Sequence, residues 1–519
     1  MLNGASTTCC RSARTQGPSG QASSERREGE PNVSDQRPGR AGVAEHRRRS
    51  ADPSEGVETL TVNNPSTGER LAVVPLSGAA EVDRAVAACR EAGVAWAAES
   101  VVKRARVMFR AQQLLAEATD ELAELVATEN GKALSDARGE IVRGLEVLEY
   151  AAGMPTLIQG VTSTGIATGV DAETRAYPVG VVAGITPFNF PGMIPLWMMP
   201  IALAAGNSFV LKPSEQTPLT AVRLVRLFQE AGLPDGVLNL VHGGRDAVEA
   251  LLDHPGVAAV SFVGSAPVAK LVYQRAAAAG KRVQALAGAK NFLIALDDAP
   301  LEATADAVFS SAFGNAGQRC LAGSVLLSAP QVHDPLLVAL QERIAAAPQG
   351  PGTDPSAVIT PVINEGSKRR ILDAIAATVA GGARVLTGGE LDEGGGGCFL
   401  PPTILVDVGR SSPVLREELF GPVLTVLPVE DLEEAIAIAN ESEFGNSASI
   451  FTSSGAAART FRETIEAGML GINVGVPAPI GYLPFSGWKG SFYGDLHANG
   501  ADGVRFYTRQ KAITTRWPG

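Results

Sequence analysis

Hydrophobic positions change their spacing along the chain, and the change predicts where helices and strands lie. Over residues 81–149, Ala, Leu and Val recur three and four residues apart, which is the spacing of amphipathic helices. Over residues 176–296, short β-rich runs alternate with helical stretches, as in parallel βαβ units. A second alternation covers residues 301–473. The pattern therefore predicts an α/β protein with two sheet-forming regions.

Segments of a different character surround this pattern. Residues 1–56 are rich in Arg, Ser, Gly and Pro and lack apolar periodicity, so we expect a disordered leader. It lacks the apolar centre of a secretory signal, and an incorrectly assigned start codon is an alternative explanation for it. Folded sequence begins at residues 59–62, and residues 64–68 form a turn between two short strands. The glycine-rich residues 394–397 are expected to form a surface loop.

Composition narrows the class of protein. A chain of 519 residues is long enough for two or three domains. Its net charge of −11 argues against a nucleic-acid partner, and no apolar run is long enough to cross a membrane. Of five cysteines, Cys9 and Cys10 are adjacent and the others are scattered, which fits neither a disulfide framework nor a metal site. We therefore expect a cytoplasmic protein without a bound metal.

The candidate chemistry centres on Cys320, which lies in the sequence Phe-Gly-Asn-Ala-Gly-Gln-Arg-Cys-Leu-Ala at residues 313–322. Glycine and other small residues before a cysteine allow a substrate carbonyl to approach the sulfur closely. A free cysteine in a soluble protein is, however, usually a small buried hydrophobe. This stretch alone leaves both interpretations open.

Further blocks of sequence resemble a known superfamily. Pro-Phe-Asn-Phe-Pro at 187–191, Leu-Lys-Pro-Ser-Glu at 211–215, Phe-Val-Gly-Ser at 262–265 and Gly-Gln-Arg-Cys at 317–320 have the order and approximate spacing of the aldehyde dehydrogenases. Residues 288–291, 473–479 and 484–489 resemble, more narrowly, the CoA-acylating methylmalonate-semialdehyde dehydrogenases. The likeness extends from about residue 60 to the C-terminus, and it favours the nucleophile interpretation of Cys320.

The resemblance implies an α/β fold in three parts. A doubly wound NAD-binding domain would comprise residues 57–160 and 179–285, and an α/β catalytic domain residues 286–490. A β extension would comprise residues 161–178 and 491–519. In this superfamily the extension bridges subunits, so we expect a homo-oligomer, either a dimer or a tetramer.

The resemblance also implies an NAD site, although neither a G-x-G-x-x-G nor a phosphate-loop motif is present. Lys212 and Glu215 match groups that hold the adenosine ribose, where a carboxylate favours NAD over NADP. Ser265 opens a helix whose N-terminal N–H groups attract pyrophosphate, and Glu418 resembles the residue that holds the nicotinamide ribose. Without the resemblance these residues would be interpreted as helix caps and surface charges. The remaining predicted cofactor-binding residues are Thr186, Phe188, Gln216 and Ala287.

The catalytic residues implied by the resemblance are Cys320 and Asn189. Cys320 is the nucleophile, and the Asn189 side-chain amide joins the Cys320 backbone N–H in stabilising the oxyanion. Leu286 stands where hydrolytic members carry the glutamate that activates water, and leucine cannot act as a base. A thiol should therefore release the thioester from Cys320, and the resemblance implies that this thiol is coenzyme A.

Two arginines are implied to bind the substrate. Arg143 and Arg319 match residues that hold a distal carboxylate, which a guanidinium grips with two hydrogen bonds. The implied reaction oxidises malonate semialdehyde or its 2-methyl derivative with loss of carbon dioxide, giving acetyl-CoA or propionyl-CoA. Gln318 and Phe292 depart from the Glu and His of many relatives, and we expect both departures to bear on the pocket.

Two alternatives remain. The first is a hydrolytic semialdehyde dehydrogenase that releases a free acid, which Leu286 disfavours. The second is a non-catalytic binding protein on the same fold, which the presence of Cys320 and Asn189 disfavours.

Overall fold

The computed structural model describes residues 58–389 and 396–517. The predicted leader and the first half of the predicted 394–397 loop lie outside these residues. No helix within the described ranges is long and apolar enough to span a bilayer. The helices are α1 Ala79–Ala98, α2 Val101–Glu117, α3 Thr119–Asn130, α4 Leu134–Ala152, α5 Met154–Leu157, α6 Met193–Ala204, α7 Leu219–Glu230, α8 Arg245–Asp253, α9 Ala266–Ala278, α10 Leu301–Phe313, α11 Pro330–Ala346, α12 Glu365–Ala380, α13 Leu432–Asn440, α14 Gly455–Thr464 and α15 Gly500–Phe506. The strands are β1 Thr59–Asn63, β2 Arg70–Pro75, β3 Thr162–Ala167, β4 Val170–Pro178, β5 Val181–Ile185, β6 Ser208–Lys212, β7 Leu238–Leu240, β8 Val257–Val263, β9 Arg282–Leu286, β10 Asn291–Ala295, β11 Gly323–Ser328, β12 Arg384–Thr387, β13 Thr403–Val406, β14 Val423–Pro428, β15 Phe444–Gly445, β16 Ser447–Phe451, β17 Met469–Ile472, β18 Trp488–Lys489, β19 Phe492–Gly494 and β20 Thr508–Arg516.

The first large sheet has the strand order β19-β9-β8-β5-β6-β7. All its strands are parallel except β19, which pairs antiparallel with β9. Every residue of β5 and β6 is buried, as expected for parallel strands covered by helices on both faces. Helix α6 is apolar on all sides because it packs between this sheet and α4.

The second large sheet has the order β12-β13-β14-β11-β10-β16-β17 and is parallel except for β12. Alternate residues of β10 enter two different hydrophobic clusters: Phe292 and Ile294 belong to one, and Leu293 and Ala295 to the other. This alternation is the two-residue period of a strand that is buried on both faces. The prediction of an α/β fold with two sheet-forming regions is confirmed.

A third, three-stranded sheet has the order β20-β4-β3 and is antiparallel. Strand β20 pairs with β4 over its whole length, from Thr508 opposite Pro178 to Arg516 opposite Val170. Strand β19 falls within the predicted extension, yet it lies on the first large sheet. The domain boundaries therefore stay a prediction. Strand β19 crosses one of them, because it lies in the predicted extension and pairs with β9 of the first large sheet.

Candidate active site

The backbone before Cys320 follows an unusual path. Helix α10 leads into a single 3-10 turn, Gly314–Gly317, in which Asn315, Ala316 and Gly317 have φ values of 51°, 50° and 69°. Three consecutive residues in this left-handed region are energetically unfavourable, and such strain concentrates at functional sites. A Cβ atom on Gly317 would lie 2.1 Å from the Gly421 carbonyl oxygen, so only glycine fits.

Two asparagine side chains fix the orientation of Cys320. Its carbonyl oxygen accepts hydrogen bonds from Asn291 Nδ2 at 2.9 Å and from Asn446 Nδ2 at 2.7 Å. Asn291 also donates to the Ala322 carbonyl at 2.8 Å. Because these amides belong to β10 and to the start of β16, the second sheet directly positions the nucleophile.

The surroundings of Cys320 keep its thiol protonated. Burial and, to a smaller extent, the nearby Glu418 carboxylate raise the pKa of the thiol to about 12, although the Cys320 and Leu321 backbone N–H groups oppose the shift. A thiol is a much weaker nucleophile than a thiolate. Cys320 therefore becomes reactive when a positive charge or a dipole is added beside it.

The Asn189 side chain is directed at the same loop. Asn189 is buried, and its Nδ2 donates to the Gln318 carbonyl at 3.0 Å. Its own main-chain carbonyl accepts a hydrogen bond from Lys132 Nζ at 2.6 Å. The predicted oxyanion donor is thus held from both sides, by the cysteine loop and by a lysine.

Lys132 forms a fully buried ion pair with Glu140. The Nζ–Oε2 distance is 2.6 Å, and both side chains have 0% exposure. The other carboxylate oxygen of Glu140 accepts from the backbone N–H groups of Gly192 at 2.7 Å and Met193 at 3.0 Å. The pair therefore holds the segment from Asn189 to Met193 in place.

Leu286 is the residue that the resemblance places where hydrolytic members carry a glutamate. It is buried at the end of β9 and belongs to the hydrophobic cluster that contains Leu321 and against which Cys320 packs. The surroundings of Cys320 on this side are apolar and carry no base at position 286.

A cavity of about 270 Å³ opens beside Cys320. One wall comes from α4 and the residues before it, and another from the cysteine loop. The remaining wall is apolar and includes Trp197 and Phe485, whose rings lie 4.7 Å apart. The cavity is lined by Lys132, Ser135, Asp136, Gly139, Glu140, Arg143, Val147, Phe190, Met193, Trp197, Asn315, Arg319, Cys320, Leu321, Val476, Ala478, Pro479, Gly481, Phe485 and Asn499.

Both predicted substrate arginines line this cavity, and each already contacts a carboxylate. Arg143 Nη1 donates to the Glu146 carboxylate at 3.0 and 3.1 Å, one turn along α4. Arg319 Nη2 donates to Asp136 Oδ2 at 2.8 Å. A guanidinium has five N–H donors, so both arginines keep donors for a further anion.

The two departures from the relatives' pattern do not line the cavity. Gln318 is fully buried, and its Oε1 accepts from the Ile363 backbone N–H at 2.9 Å. Phe292 is buried in the cluster on one face of the second sheet. An effect of either residue on the pocket stays a prediction, and it would act through these structural contacts.

Four of the eight predicted cofactor residues lie at one edge of the first sheet, at the carboxyl ends of four adjacent parallel strands. Thr186, Ser265 and Ala287 follow β5, β8 and β9, and Lys212 is the last residue of β6. Nucleotides bind at this edge in open α/β sheets. Lys212 Nζ lies 3.1 Å from Glu215 Oε2.

The other cofactor candidates lie on loops next to this edge. The Phe188 ring meets the Phe420 ring edge-on at 5.8 Å, and Gln216 Oε1 accepts from Asn364 Nδ2. Glu418 Oε1 accepts from the Ala289 backbone N–H at 3.0 Å, and burial raises the pKa of Glu418 to about 7. The roles assigned to all these residues stay predictions.

The residues at this edge fit a dinucleotide. Thr186 Oγ1 is buried and has no hydrogen-bond partner among the described residues. Ser265 is exposed at the N-terminus of the 13-residue helix α9 and makes no side-chain capping bond. An unpartnered hydroxyl and a free helix N-terminus are both groups that a pyrophosphate or ribose could satisfy.

Comparison with known proteins decides the family. A model of the aldehyde dehydrogenase family matches residues 52–513. The chain belongs to the aldehyde dehydrogenase family. The superfamily membership and the aldehyde dehydrogenase fold predicted from the sequence blocks are confirmed, which excludes the reading of those blocks as chance matches.

Relatives of this aldehyde dehydrogenase share most of its length. A malonate-semialdehyde dehydrogenase of Halalkalibacterium halodurans is 51% identical over 465 residues, covering 89% of this chain and 96% of the relative. Malonate-semialdehyde dehydrogenase 1 of Geobacillus thermodenitrificans is 52% identical over 470 residues, with the same coverage. The methylmalonate-semialdehyde dehydrogenase of Oceanimonas doudoroffii superimposes with a TM-score of 0.88 at 42% identity, covering 90% of this chain and 96% of that structure. A Sinorhizobium meliloti structure described as a methylmalonate-semialdehyde dehydrogenase complexed with NAD has the same TM-score, identity and coverage.

Sequence reasoning missed several polar residues of this site, among them Lys132, Glu140 and Asn499. Lys132 and Glu140 are eight positions apart, farther than the three or four positions that separate paired side chains on a helix, so no pattern pairs them. Asn499 lies 179 positions after Cys320 and lines the same cavity. Its only signal in the sequence is the following Gly500, which is ordinary in a turn.

Proposed function

We propose that this aldehyde dehydrogenase oxidises malonate semialdehyde or its 2-methyl derivative, with NAD as the hydride acceptor and coenzyme A as the acyl acceptor. The observation that carries the proposal is that Cys320, Arg143 and Arg319 line one cavity. The names of the 51% and 52% identical relatives support the substrate. The NAD in the Sinorhizobium meliloti structure supports the cofactor.

The first step uses the cysteine loop. The Cys320 sulfur adds to the aldehyde carbon, and the resulting alkoxide lies beside the Asn189 amide and the Cys320 N–H, which stabilise its charge. NAD, when bound at the edge of the first sheet, supplies the hydride acceptor. Glu418 and the Lys212–Glu215 pair would hold its two riboses, and the Glu215 carboxylate would repel a 2′-phosphate. The product on Cys320 is a thioester.

The substrate carboxylate is held by the two arginines. Arg143 and Arg319 each keep guanidinium N–H donors beyond those used by Glu146 and Asp136, so the substrate adds to these contacts. After oxidation the carboxylate lies β to the thioester carbonyl. Loss of carbon dioxide is then favourable, because the carbanion left behind delocalises into that carbonyl. The carbanion then takes a proton from water and becomes the acetyl or propionyl thioester.

A thiol releases the acyl group from Cys320. Water attack needs a general base, and Leu286 provides none within its buried apolar surroundings. The thiolate of coenzyme A needs no such base once ionised. Acetyl-CoA or propionyl-CoA leaves, and Cys320 regains its thiol. The hydrolytic alternative would require a base that the 286 position lacks.

The arginine assignment can be tested by substitution. Arg143→Leu and Arg319→Leu should each lower kcat/KM for malonate semialdehyde about 100-fold, since a charge-assisted hydrogen bond contributes about 1.5–3 kcal/mol. Propanal lacks the carboxylate, so its kcat/KM should be nearly unchanged. Arg138→Leu is the matched control, because Arg138 lies on the same helix, pairs with Asp120 and does not line the cavity.

A carboxylate-independent outcome would overturn this assignment. If Arg143→Leu and Arg319→Leu lower turnover of propanal as much as that of the semialdehyde, the arginines shape the site without binding the carboxylate. If both behave like Arg138→Leu, the substrate carboxylate binds elsewhere.

We also propose a homo-oligomer in which the three-stranded sheet is covered by another subunit. Strand β20 pairs with β4 on one side, and no described strand pairs with its other edge. Apolar residues near this sheet are exposed, among them Val161, Ile166 and, at 78%, Trp517. Light scattering of the full chain and of a variant truncated after Tyr507 would test the proposal, which predicts that truncation yields monomers.

We also propose that the protein is located in the cytoplasm. Cys89, Cys320 and Cys398 are unpaired within the described ranges, as expected in a reducing compartment. Fractionation of the source cells tests this location. Recovery of the protein in a membrane or periplasmic fraction would contradict it.

A further inference from the structure

Asn499 has a backbone conformation that normally requires glycine. Its φ is 66° and its ψ is 176°, a region in which a side chain is strained. The next residue, Gly500, also has a positive φ of 55°. An asparagine in this conformation costs stability that a glycine would not, so the side chain points to a role of its own.

The Asn499 Oδ1 atom is buried without a partner among the described residues. The residue is 2% exposed, and its Oδ1 accepts no hydrogen bond from any described residue. A buried polar atom without a partner is unfavourable unless a ligand or water satisfies it. Asn499 lines the cavity that contains Cys320, so a ligand in that cavity can reach the amide.

The cavity is larger than the semialdehyde requires. A cavity of about 150 Å³ holds benzene, which has as many non-hydrogen atoms as malonate semialdehyde, whereas this cavity measures about 270 Å³. The semialdehyde's own polar groups already have partners under the proposed function. Its aldehyde oxygen meets Asn189, and its carboxylate meets Arg143 and Arg319. Neither group is left for Asn499.

Cys320 itself lines the large cavity, so a thiol that occupies the space not used by the semialdehyde lies beside the acyl group.

The wall that carries Asn499 belongs to the rim of that cavity. The Gly500 N–H donates to the Gly481 carbonyl at 3.3 Å, and Gly481 lines the cavity immediately before the exposed Tyr482. Asn499 is thus linked through Gly500 to a segment that reaches the protein surface at Tyr482.

We propose that Asn499 binds the amide-bearing arm of the thiol co-substrate, an inference that rests on the proposed function. In coenzyme A, two methylene groups separate the thiol from the first amide of the pantetheine arm. Asn499 Oδ1, the atom without a partner, can accept a hydrogen bond from the N–H of that amide. The contact aligns the thiol with the acyl carbon. The thiol sulfur bonds to that carbon, the bond to Cys320 Sγ breaks, and the thiol proton ends on Cys320.

The test compares thiols that differ in the amide. Propanal and NAD form the acyl-enzyme, and the acceptor is coenzyme A, N-acetylcysteamine, which keeps the first amide, or 2-mercaptoethanol, which has none. Asn499→Gly should lower kcat/KM for the two amide thiols about tenfold, the value of one neutral hydrogen bond. The rate with 2-mercaptoethanol should match that of the unaltered enzyme. The NADH burst before thiol is added reports the earlier step and should keep its rate.

Glycine suits the backbone at this position, so Asn499→Gly is expected to fold with a thermal midpoint no lower than that of the unaltered enzyme. Asn499→Asp keeps the acceptor oxygen and loses the N–H donors. With the amide thiols, its kcat/KM should lie between those of Asn499→Gly and the unaltered enzyme. Equal losses with all three thiols, or a slower NADH burst, would overturn the proposal. So would unchanged rates throughout, which would mean that only water binds the amide. If the unaltered enzyme turns over without any thiol, the proposed function itself fails, independently of Asn499.

Discussion

The buried Lys132–Glu140 pair makes a quantitative prediction about stability and catalysis. Lys132→Met removes the ammonium and leaves the Glu140 carboxylate at 0% exposure, with the Gly192 and Met193 N–H groups as its remaining donors. Breaking a buried ion pair by removing one partner costs about 3–5 kcal/mol. Two backbone donors still stabilise the carboxylate, so we expect the lower end, about 3 kcal/mol.

A lysine in a solvent-accessible ion pair serves as the control, because its substitution measures the cost of losing a lysine side chain without a buried partner. Lys103 is exposed and pairs with the partly exposed Glu99 four residues earlier, so Lys103→Met should cost at most about 0.5 kcal/mol. Urea titration of the free energy of unfolding gives both values. The double variant Lys132→Met/Glu140→Gln leaves no uncompensated charge, and it should be less destabilised than Lys132→Met alone.

The same variant tests how Asn189 is positioned. Lys132→Met removes the 2.6 Å bond to the Asn189 carbonyl, so kcat should fall with little change in the affinity for NAD. The reasoning is refuted if Lys132→Met and Lys103→Met are equally stable, or if the double variant loses the sum of its two single losses.

Three further predictions concern groups around the nucleophile. With the Cys320 pKa at about 12, the rate of iodoacetamide labelling without cofactor should rise about tenfold per pH unit between about pH 7 and 10, since the reactive thiolate is the minor form; a plateau below pH 9 would contradict this. With the Glu418 pKa raised to about 7, its carboxylate forms as the pH rises, so the affinity for NAD should increase from about pH 6 to 8. Titration of Glu418→Gln by fluorescence should show no such increase. Leu286→Glu places a carboxylate at the hydrolytic position and should release free acid without a thiol, which mass spectrometry of the products would detect.

The chemistry at strand ends could be predicted from the sequence because it depends on local order. A β-rich run followed by turn residues places Thr186, Lys212 and Ser265 at strand ends, and parallel strands bring those ends together. The cysteine loop was predictable for the same reason. Its glycines, Gly314 and Gly317, lie within six positions of Cys320.

Contacts between residues that are distant in the sequence could not be predicted from it. Nothing in the spacing pairs Lys132 with Glu140, or brings Asn291 and Asn446 to the Cys320 carbonyl. The direction of a buried side chain is also set by packing, which is why Gln318, adjacent in sequence to the pocket, points instead at Ile363.

In the proposed function, a thiol releases the acyl group from the thioester on Cys320. The most direct measurement is NADH formation from malonate semialdehyde and NAD, with and without coenzyme A, with the organic product identified by mass. Continued turnover only with coenzyme A, yielding acetyl-CoA and carbon dioxide, is the predicted result; without it, NADH should stop at one equivalent per site. Sustained NADH formation and free acid in the absence of coenzyme A would contradict the claim and establish hydrolysis despite Leu286.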